Sequence, residues 1–499
     1  MKIRKVFFNV IFLLLNVITA YSQVKPKPNV VVIAVDDWND WVGALGNNQV
    51  KTPNLDKLAK WGVTFHNAQT AAPYCTPSRT AIMTGLSPAT TGCYENEVFL
   101  YDYPELVTLP KMFKNNGYEV VGGGKVFHHM PGYLDLSAYD YYFHWNPNEK
   151  TRGWGLNAWS PENKATPTQI PVTDVAKIMN YKNFDFVALP NKLEEEMADT
   201  KCFNWAAEYL SEKHDKPFMM TVGSYAPHKP NYVPEKYFDL YPLDKIQLPE
   251  IKENDLDDVP KSVKKRMMGQ WDHKYSKLAG IDKSSERIVQ AYLAACSYAD
   301  AMVGKVLTAL EKGGYLENTI IVLWSDNGYH MGEKKHYAKH TLWQRTANVP
   351  YFIAGPGIPH GGNYYGAMGL IDTYPTLLEL SGISTNIKLD GKSLVPVLKN
   401  PSKSSDRAVV TSASPTYHSV VNSKWRYITY GDEGEELYDT KNDPHEWNNL
   451  ASDPRFKNVI EALKKQVPVN PSKPATSNKE LRLVANPEKE TFHWEKKKH

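Results

Sequence analysis

The stretch Cys75-Thr76-Pro77-Ser78-Arg79 puts a thiol, two hydroxyls and a guanidinium within one helical turn. Pro77 suits the first turn of a helix, where its missing N–H would have no intrahelical partner. Ala81, Ile82 and Met83 continue that helix and Gly85 can end it. Cys75 is therefore expected just ahead of a helix N-terminus, where free N–H groups and the macrodipole favour negative charge. Thr76, Ser78 and Arg79 add donors, so an anion should settle there. A cysteine in that place reads either as a reactive thiolate or as a buried thiol at a helix start.

Two further strings carry oxygen ligands. The apolar run Asn29 to Val35 ends at once in Asp36-Asp37, and Thr319 to Trp324 ends in Ser325-Asp326-Asn327-Gly328. Adjacent carboxylates at the end of a buried strand repel each other and lose hydration unless a cation is shared. A hard divalent ion with oxygen ligands satisfies both conditions, whereas a solvated turn satisfies either pair taken alone. Lys125 and His128 follow the glycines of Gly122-Gly123-Gly124, which let a backbone approach a site closely. His228 follows the apolar strand Lys216 to Val222 in Pro227-His228-Lys229-Pro230, and Lys339 and His340 close the string Ala338-Lys339-His340.

The elements that must position these groups alternate. Continuous apolar runs at 29–35 and 319–324 read as strands buried on both faces of a parallel sheet. Tyr118 to Val121, 216–222 and Val349 to Ala354 are further strands. Helices are expected over Pro53–Trp61, after Cys75, over Thr108–Asn116, over Ile288–Lys312 with a broad apolar face, and over Asp372–Leu380. Such alternation predicts an α/β fold with ligands at the carboxyl edge of its sheet, where Cys75, Asp36, Asp37, Lys125, His128, His228, Asp326 and Asn327 all fall. Residues 131–200 show little periodicity and are read as a substrate-facing insertion, and 231–285 as a second, polar one. Beyond about residue 400 short strands and one helix, Phe456–Lys465, predict a small antiparallel subdomain. The charged last thirty residues are expected to lie loosely on its surface.

With 499 residues, 42% hydrophobic and 23% charged, the chain has the composition of a globular protein with one large and one smaller domain. The formal charge of +3 is too mild to imply nucleic acid. Met1–Lys5 is basic, Val6–Ala20 apolar, and Ala20-Tyr21-Ser22 offers small residues for cleavage. Residues 1–22 therefore read as a signal peptide, with the mature chain exported to a periplasm or secreted and no stable membrane span left after cleavage. Of four cysteines, Cys93, Cys202 and Cys296 remain beside Cys75, and no bridge among them is predicted. No internal repeat is found.

These strings, in this order, resemble the type I sulfatases of the alkaline phosphatase superfamily, over nearly the whole mature length and most closely the iduronate-2-sulfatase branch. The resemblance rests on Asp36-Asp37, Cys75-Thr76-Pro77-Ser78-Arg79, Gly124-Lys125-Val126-Phe127-His128, Pro227-His228-Lys229-Pro230, Ser325-Asp326-Asn327-Gly328 and Ala338-Lys339-His340. Asn327 stands where some members of the branch carry His, and still offers an oxygen ligand. The fold implied is a large, mixed, mostly parallel sheet flanked by helices (residues 23–400) with a small C-terminal α+β subdomain (401–499).

The resemblance also implies roles. A maturation enzyme would convert Cys75 to formylglycine (3-oxoalanine), whose hydrated form attacks the sulfur of a sulfate ester. Asp36, Asp37, Asp326 and Asn327, with residue 75, would hold one Ca2+. Arg79 would hold the hydrated aldehyde, while Lys125 and Lys339 neutralise sulfate oxygens. His228 would protonate the leaving alcohol and His128 would help break down the sulfated enzyme; His340 joins Lys125, His228 and Lys339 as a substrate contact. The expected substrate is a sulfated oligo- or polysaccharide, either uronate-containing (2-O-sulfated iduronate among the possibilities) or algal. Two alternatives are a phosphonate monoester or phosphodiester hydrolase and an unmatured, Ca2+-dependent glycan-binding protein.

Overall fold

Val30, Val32 and Ala34 of strand Asn29–Val35 (β1) are buried on one face of a sheet, and Val31, Ile33 and Val35 on the other. Both faces are apolar, so the run carries no alternation, as a central parallel strand requires. The computed structural model describes residues 27–128, 133–143, 186–269, 282–403, 405–486 and 491–497. The expected signal peptide and most of the expected 131–200 insertion lie outside the described residues.

Around β1 the sheet is built from Gly62–Phe65 (β2), Glu119–Gly124 (β3), Tyr141–Phe143 (β4), Phe218–Gly223 (β5), Thr319–Ser325 (β6), Tyr351–Ala354 (β7) and Gly362–Tyr364 (β8). Their order is β8-β2-β7-β6-β1-β5-β3-β4. Only β7 runs against its neighbours, pairing antiparallel with both β6 and β2. This is the mixed, mostly parallel sheet expected. One face is covered by Pro53–Trp61 (α1), Ala198–Tyr209 (α4) and Ser284–Lys312 (α5), the other by Cys75–Thr84 (α2), Leu109–Asn115 (α3) and Thr373–Leu380 (α6). By length and composition α5 could cross a membrane, but its apolar residues are spent on the sheet and on α1 and α4.

Helix α1 takes its N-terminal cap from another helix. Its own N-cap residue, Thr52, makes no side-chain cap bond. Asp300 of α5 instead accepts from the backbone N–H groups of Asn54 (3.1 Å) and Leu55 (2.8 Å) and from Asn54 Nδ2 (2.8 Å). Free N–H groups at a helix start need such acceptors. Asp300→Ala leaves these buried donors unpaired and is expected to destabilise the chain by about 2–3 kcal/mol, read as a lower urea midpoint at unchanged slope.

The structure corrects three expectations. Residues 131–200 are not irregular throughout: Tyr141–Phe143 extends the main sheet beside β3, and α4 begins at Ala198. The 231–285 stretch likewise contains a strand, Asn231–Pro234, and a helix, Lys261–Gly269. The last thirty residues do not lie loosely. After a four-stranded antiparallel sheet, Val409–Ser412 (β9), Tyr417–Val421 (β10), Trp425–Tyr430 (β11) and Glu435–Asp439 (β12), and helix Lys457–Lys464 (α7), the chain returns to the large sheet's side. There Ala475 and Thr476 donate backbone bonds to Gly92 O (2.9 Å) and Asp102 Oδ2 (2.7 Å). Leu481–Asn486 (β13) and Thr491–Lys496 (β14) form a hairpin whose Leu481 packs on Val98 and Tyr133.

Candidate active site

Register brings the candidate residues to one edge. Val35 of β1 pairs with Ser325 of β6, so Asp36 and Asp326 leave adjacent strands at the same level. Gly223 of β5 pairs with both Ala34 and Gly124, which puts the Lys125 and Ser224–His228 turns beside them. That last pairing requires glycine. Gly124 has φ +70°, and a Cβ there would strike the Gly223 carbonyl, while one on Gly223 would strike the Lys125 backbone. The two strands thereby approach closely enough for Lys125 to reach Asp36.

Cys75 is the first residue of α2, with Tyr74 as N-cap, one step further into the helix than expected. Its Sγ lies 2.8 Å from Lys339 Nζ and 3.8 Å from Lys125 Nζ, and its thiol faces Asp36 Oδ1 (3.5 Å) and Asp37 Oδ1 (3.8 Å). Lys125 pairs with Asp36 Oδ2, and Lys339 with Asp37 Oδ1 at 2.5 Å. Arg79 Nε donates to Asp326 Oδ2 at 2.7 Å and its Nη2 to Asp36 Oδ1 at 3.3 Å, while Nη1 donates to the carbonyls of Lys125 and Val126. Three buried carboxylates are thus balanced by three buried cations.

These pairings set the charge states. Burial opposes ionisation of Asp36, but Lys125 and His228, with Arg79 behind them, outweigh it and hold the carboxyl well below its usual range. Asp37 is likewise lowered to about 2, burial being overcome by Lys339 and His228. The Cys75 thiol goes the other way: burial, then Asp326 and Asp36, push it well above its ordinary value. The cluster therefore holds a protonated, weakly nucleophilic sulfur, and the thiolate reading of Cys75 is corrected.

The donor set fits a divalent cation. Ligand atoms of Asp36, Asp37, Cys75 and Asp326 all lie within 4.8 Å of one another. Among the described residues, Asp37 Oδ2 and Asn327 Oδ1 are buried and accept no hydrogen bond. Asn327 is turned by its Nδ2, which donates to Asp37 Oδ1 (2.8 Å) and to Gly328 O (3.0 Å), leaving its oxygen to the cluster. Buried acceptors without donors are costly unless a cation serves them.

His228 Nδ1 donates to the Lys229 carbonyl, so Nε2 faces the site, 3.6 Å from Asp37 Oδ2. Burial lowers its pKa to about 4, against the opposing pull of Asp37 and Asp36. His128 is half-buried within electrostatic reach of Lys125, Arg79, Lys339 and His228, with its ring edge-on to Tyr133 at 5.0 Å. The His340 ring stacks on Tyr74 at 4.5 Å and lies within electrostatic reach of Lys339 and Asp37.

Several supporting residues escaped the sequence reading. Asp199 of α4 accepts from Ser224 Oγ and the backbone N–H groups of Tyr225 and Ala226, all at 3.0 Å, and so shapes the turn that presents His228. The spacing Ala198, Cys202, Ala206 was the available signal for its helix. The Thr70 hydroxyl holds the Asp326 carbonyl at 2.7 Å, beside that of Ser78, a donor already read from the sequence, at 2.6 Å. Tyr292 of α5 donates to the Asp37 carbonyl at 2.8 Å.

Three cations paired with three carboxylates at the carboxyl edge of a mixed, mostly parallel sheet flanked by helices define the alkaline-phosphatase-like fold. Solved structures share that fold. A phosphonate monoester hydrolase of Agrobacterium radiobacter superposes with a TM-score of 0.72 at 20% identity, over 95% of this chain and 100% of the other. A 2-O GAG sulfatase superposes with a TM-score of 0.65 at 24% identity, over 88% and 90%. A family profile described as Sulfatase matches residues 28–383, and one described as N-sulphoglucosamine sulphohydrolase, C-terminal, matches 332–471. The chain is 39% identical to a sulfatase of Formosa agariphila over 89% of its length and 86% of the relative's. It is 30% identical to iduronate 2-sulfatase of Mus musculus over 66% and 59%. The chain belongs to the sulfatase family and is a sulfuric ester hydrolase.

Proposed function

We propose that the protein is an exported sulfatase that removes sulfate from a sulfated saccharide, with 2-O-sulfated uronates as the first class of substrate to test. The observation that carries the reading is the convergence of Lys125, Lys339 and Arg79 with three carboxylates around residue 75. The iduronate 2-sulfatase relative supports the uronate.

In this reading a maturation enzyme converts Cys75 to formylglycine, which supplies a hydrated-aldehyde oxygen as nucleophile where the thiol now lies. Asp36, Asp37, Asp326 and Asn327, together with residue 75, would hold Ca2+, which when bound would supply charge stabilisation for the sulfate and lower the pKa of the nucleophile. Because the three carboxylates are already balanced by Lys125, Lys339 and Arg79, the site would be net positive with a divalent ion held there and would attract a monoanionic sulfate ester. Lys125 and Lys339 face the sulfate oxygens as charge develops on them, and Arg79 fixes the position of residue 75 through Asp326 and Asp36. His128 serves as the base that regenerates residue 75.

His228 Nε2 delivers the proton to the leaving alcohol. An acid must start protonated, so kcat/KM falls as pH rises through the His228 pKa; with that pKa depressed, the falling limb lies below the ordinary histidine value of about 6.5. His228→Ala is expected to lose that limb and about 10²–10⁴ in rate on a sugar sulfate. Its loss on 4-nitrophenyl sulfate is smaller, because a nitrophenolate leaves without a proton. Equal losses on both esters, or an unchanged limb, would remove His228 from this role.

The reading as a whole is tested by sulfate release from defined heparan-, chondroitin- and algal-type oligosaccharides, using protein co-produced with a formylglycine-generating enzyme. Release from 2-O-sulfated uronates is expected. Release from algal sugars alone discards the uronate, and silence across the panel discards the saccharide.

A further inference from the structure

Beside the catalytic cluster lies an open cleft of about 210 Å³ between the large sheet's loops and the small C-terminal sheet. The side nearest the cluster is formed by Tyr74 and His340, stacked on each other. Tyr74 is shared with the catalytic cluster, since Lys339 Nζ lies 5.4 Å from its ring centroid. The C-terminal sheet contributes Tyr417 and Tyr430, packed edge to face at 5.7 Å, with Ser414 beside them. Among the described residues the lining contains Glu95 and no lysine or arginine. Burial and the adjoining Lys339 ammonium keep His340 neutral.

From this we infer that the cleft is a subsite for an uncharged sugar ring, the neighbour of the ring whose sulfate enters the catalytic cluster. The inference rests on the sulfatase reading above and adds which part of the chain selects the substrate and what it selects. Aromatic faces pack on the apolar C–H faces of a sugar, and hydroxyls around the rim bond its hydroxyls. The Glu95 carboxylate, with no cation to offset it among the described lining residues, disfavours a second sulfate or a carboxylate there. Selection then falls in part on the C-terminal sheet, and not on the 131–200 stretch alone.

The test compares 4-nitrophenyl sulfate, which has no second ring, with the monosulfated disaccharide that the wild-type enzyme desulfates fastest and with its analogue sulfated on the neighbouring ring as well. Tyr417→Ala is expected to cut kcat/KM on the monosulfated disaccharide by about tenfold, while 4-nitrophenyl sulfate stays within about twofold. Glu95→Lys, an exposed substitution, should shift preference toward the doubly sulfated analogue by about fivefold or more. Losses that are equal on both the aryl ester and the disaccharide, no loss on either, or a wild-type preference for the doubly sulfated analogue would each overturn the subsite. Turnover of the aryl ester with no disaccharide hydrolysed overturns the subsite and leaves the sulfatase reading standing. No turnover of any ester overturns the reading beneath it.

Discussion

Cys75→Ala is expected to lower sulfate release by about 10⁴-fold or more while the protein stays folded. In the proposed mechanism residue 75 supplies the nucleophile, and removing a nucleophile from an organised site costs on that scale. What survives is the background supplied by Lys125, Lys339 and the bound ester's orientation. The structural cost is small, because the substitution removes one buried sulfur atom and no ion pair; a loss of about 1 kcal/mol is expected. The comparison that matters is rate against unfolding midpoint. A variant that keeps a native midpoint and most of its activity would show that residue 75 does not attack the ester. A collapsed midpoint would instead indicate that the cysteine is structural.

The second large effect concerns the cation. Asp37→Asn preserves shape and removes one charge from a ligand whose Oδ2 accepts no hydrogen bond among the described residues. It is expected to lower kcat/KM by about 10³, roughly 4 kcal/mol of transition-state stabilisation. A chelator should do the same to the wild-type enzyme, and added Ca2+ should restore it. The binding has a second signature. A ligand at a hundred times its Kd stabilises by about 2.7 kcal/mol, which for a chain of 499 residues raises the unfolding temperature by about 2–3 °C. The wild type should show that rise and Asp37→Asn should not. If Ca2+ moves neither the temperature nor the rate of chelated enzyme, the three carboxylates serve Lys125, Lys339 and Arg79 alone.

Much of this site was legible because its residues punctuate strong patterns. The runs ending at Val35 and Trp324 are too apolar and too short to be anything but buried strands, so the acids that stop them had to lie at a sheet edge. Lys339 was different. It reaches Cys75 from a loop in which Ala338 and His340 both take left-handed φ values, 80° and 73°, a geometry no periodicity announces; only the resemblance pointed to it. Asp199 was hidden for another reason: its backbone partners are the N–H groups of Tyr225 and Ala226, in a turn far along the chain, and its helix begins in a stretch read as irregular. The cleft between Tyr74 and Tyr417 joins residues more than three hundred positions apart and exists only once the two sheets are packed. The C-terminal hairpin was missed although the alternation of Leu481 and Leu483 was there to read, because charge density was given more weight than period.

The most direct test of the central claim is to measure, on the same preparations, sulfate release and the fraction of Cys75 converted to the aldehyde, by mass spectrometry of the peptide that carries it. Preparations made with graded amounts of a formylglycine-generating enzyme provide the range. The account predicts that the specific rate rises in proportion to the converted fraction and extrapolates to zero for the pure thiol, in keeping with a thiol held protonated among carboxylates. Full activity in protein whose Cys75 is entirely thiol would contradict it.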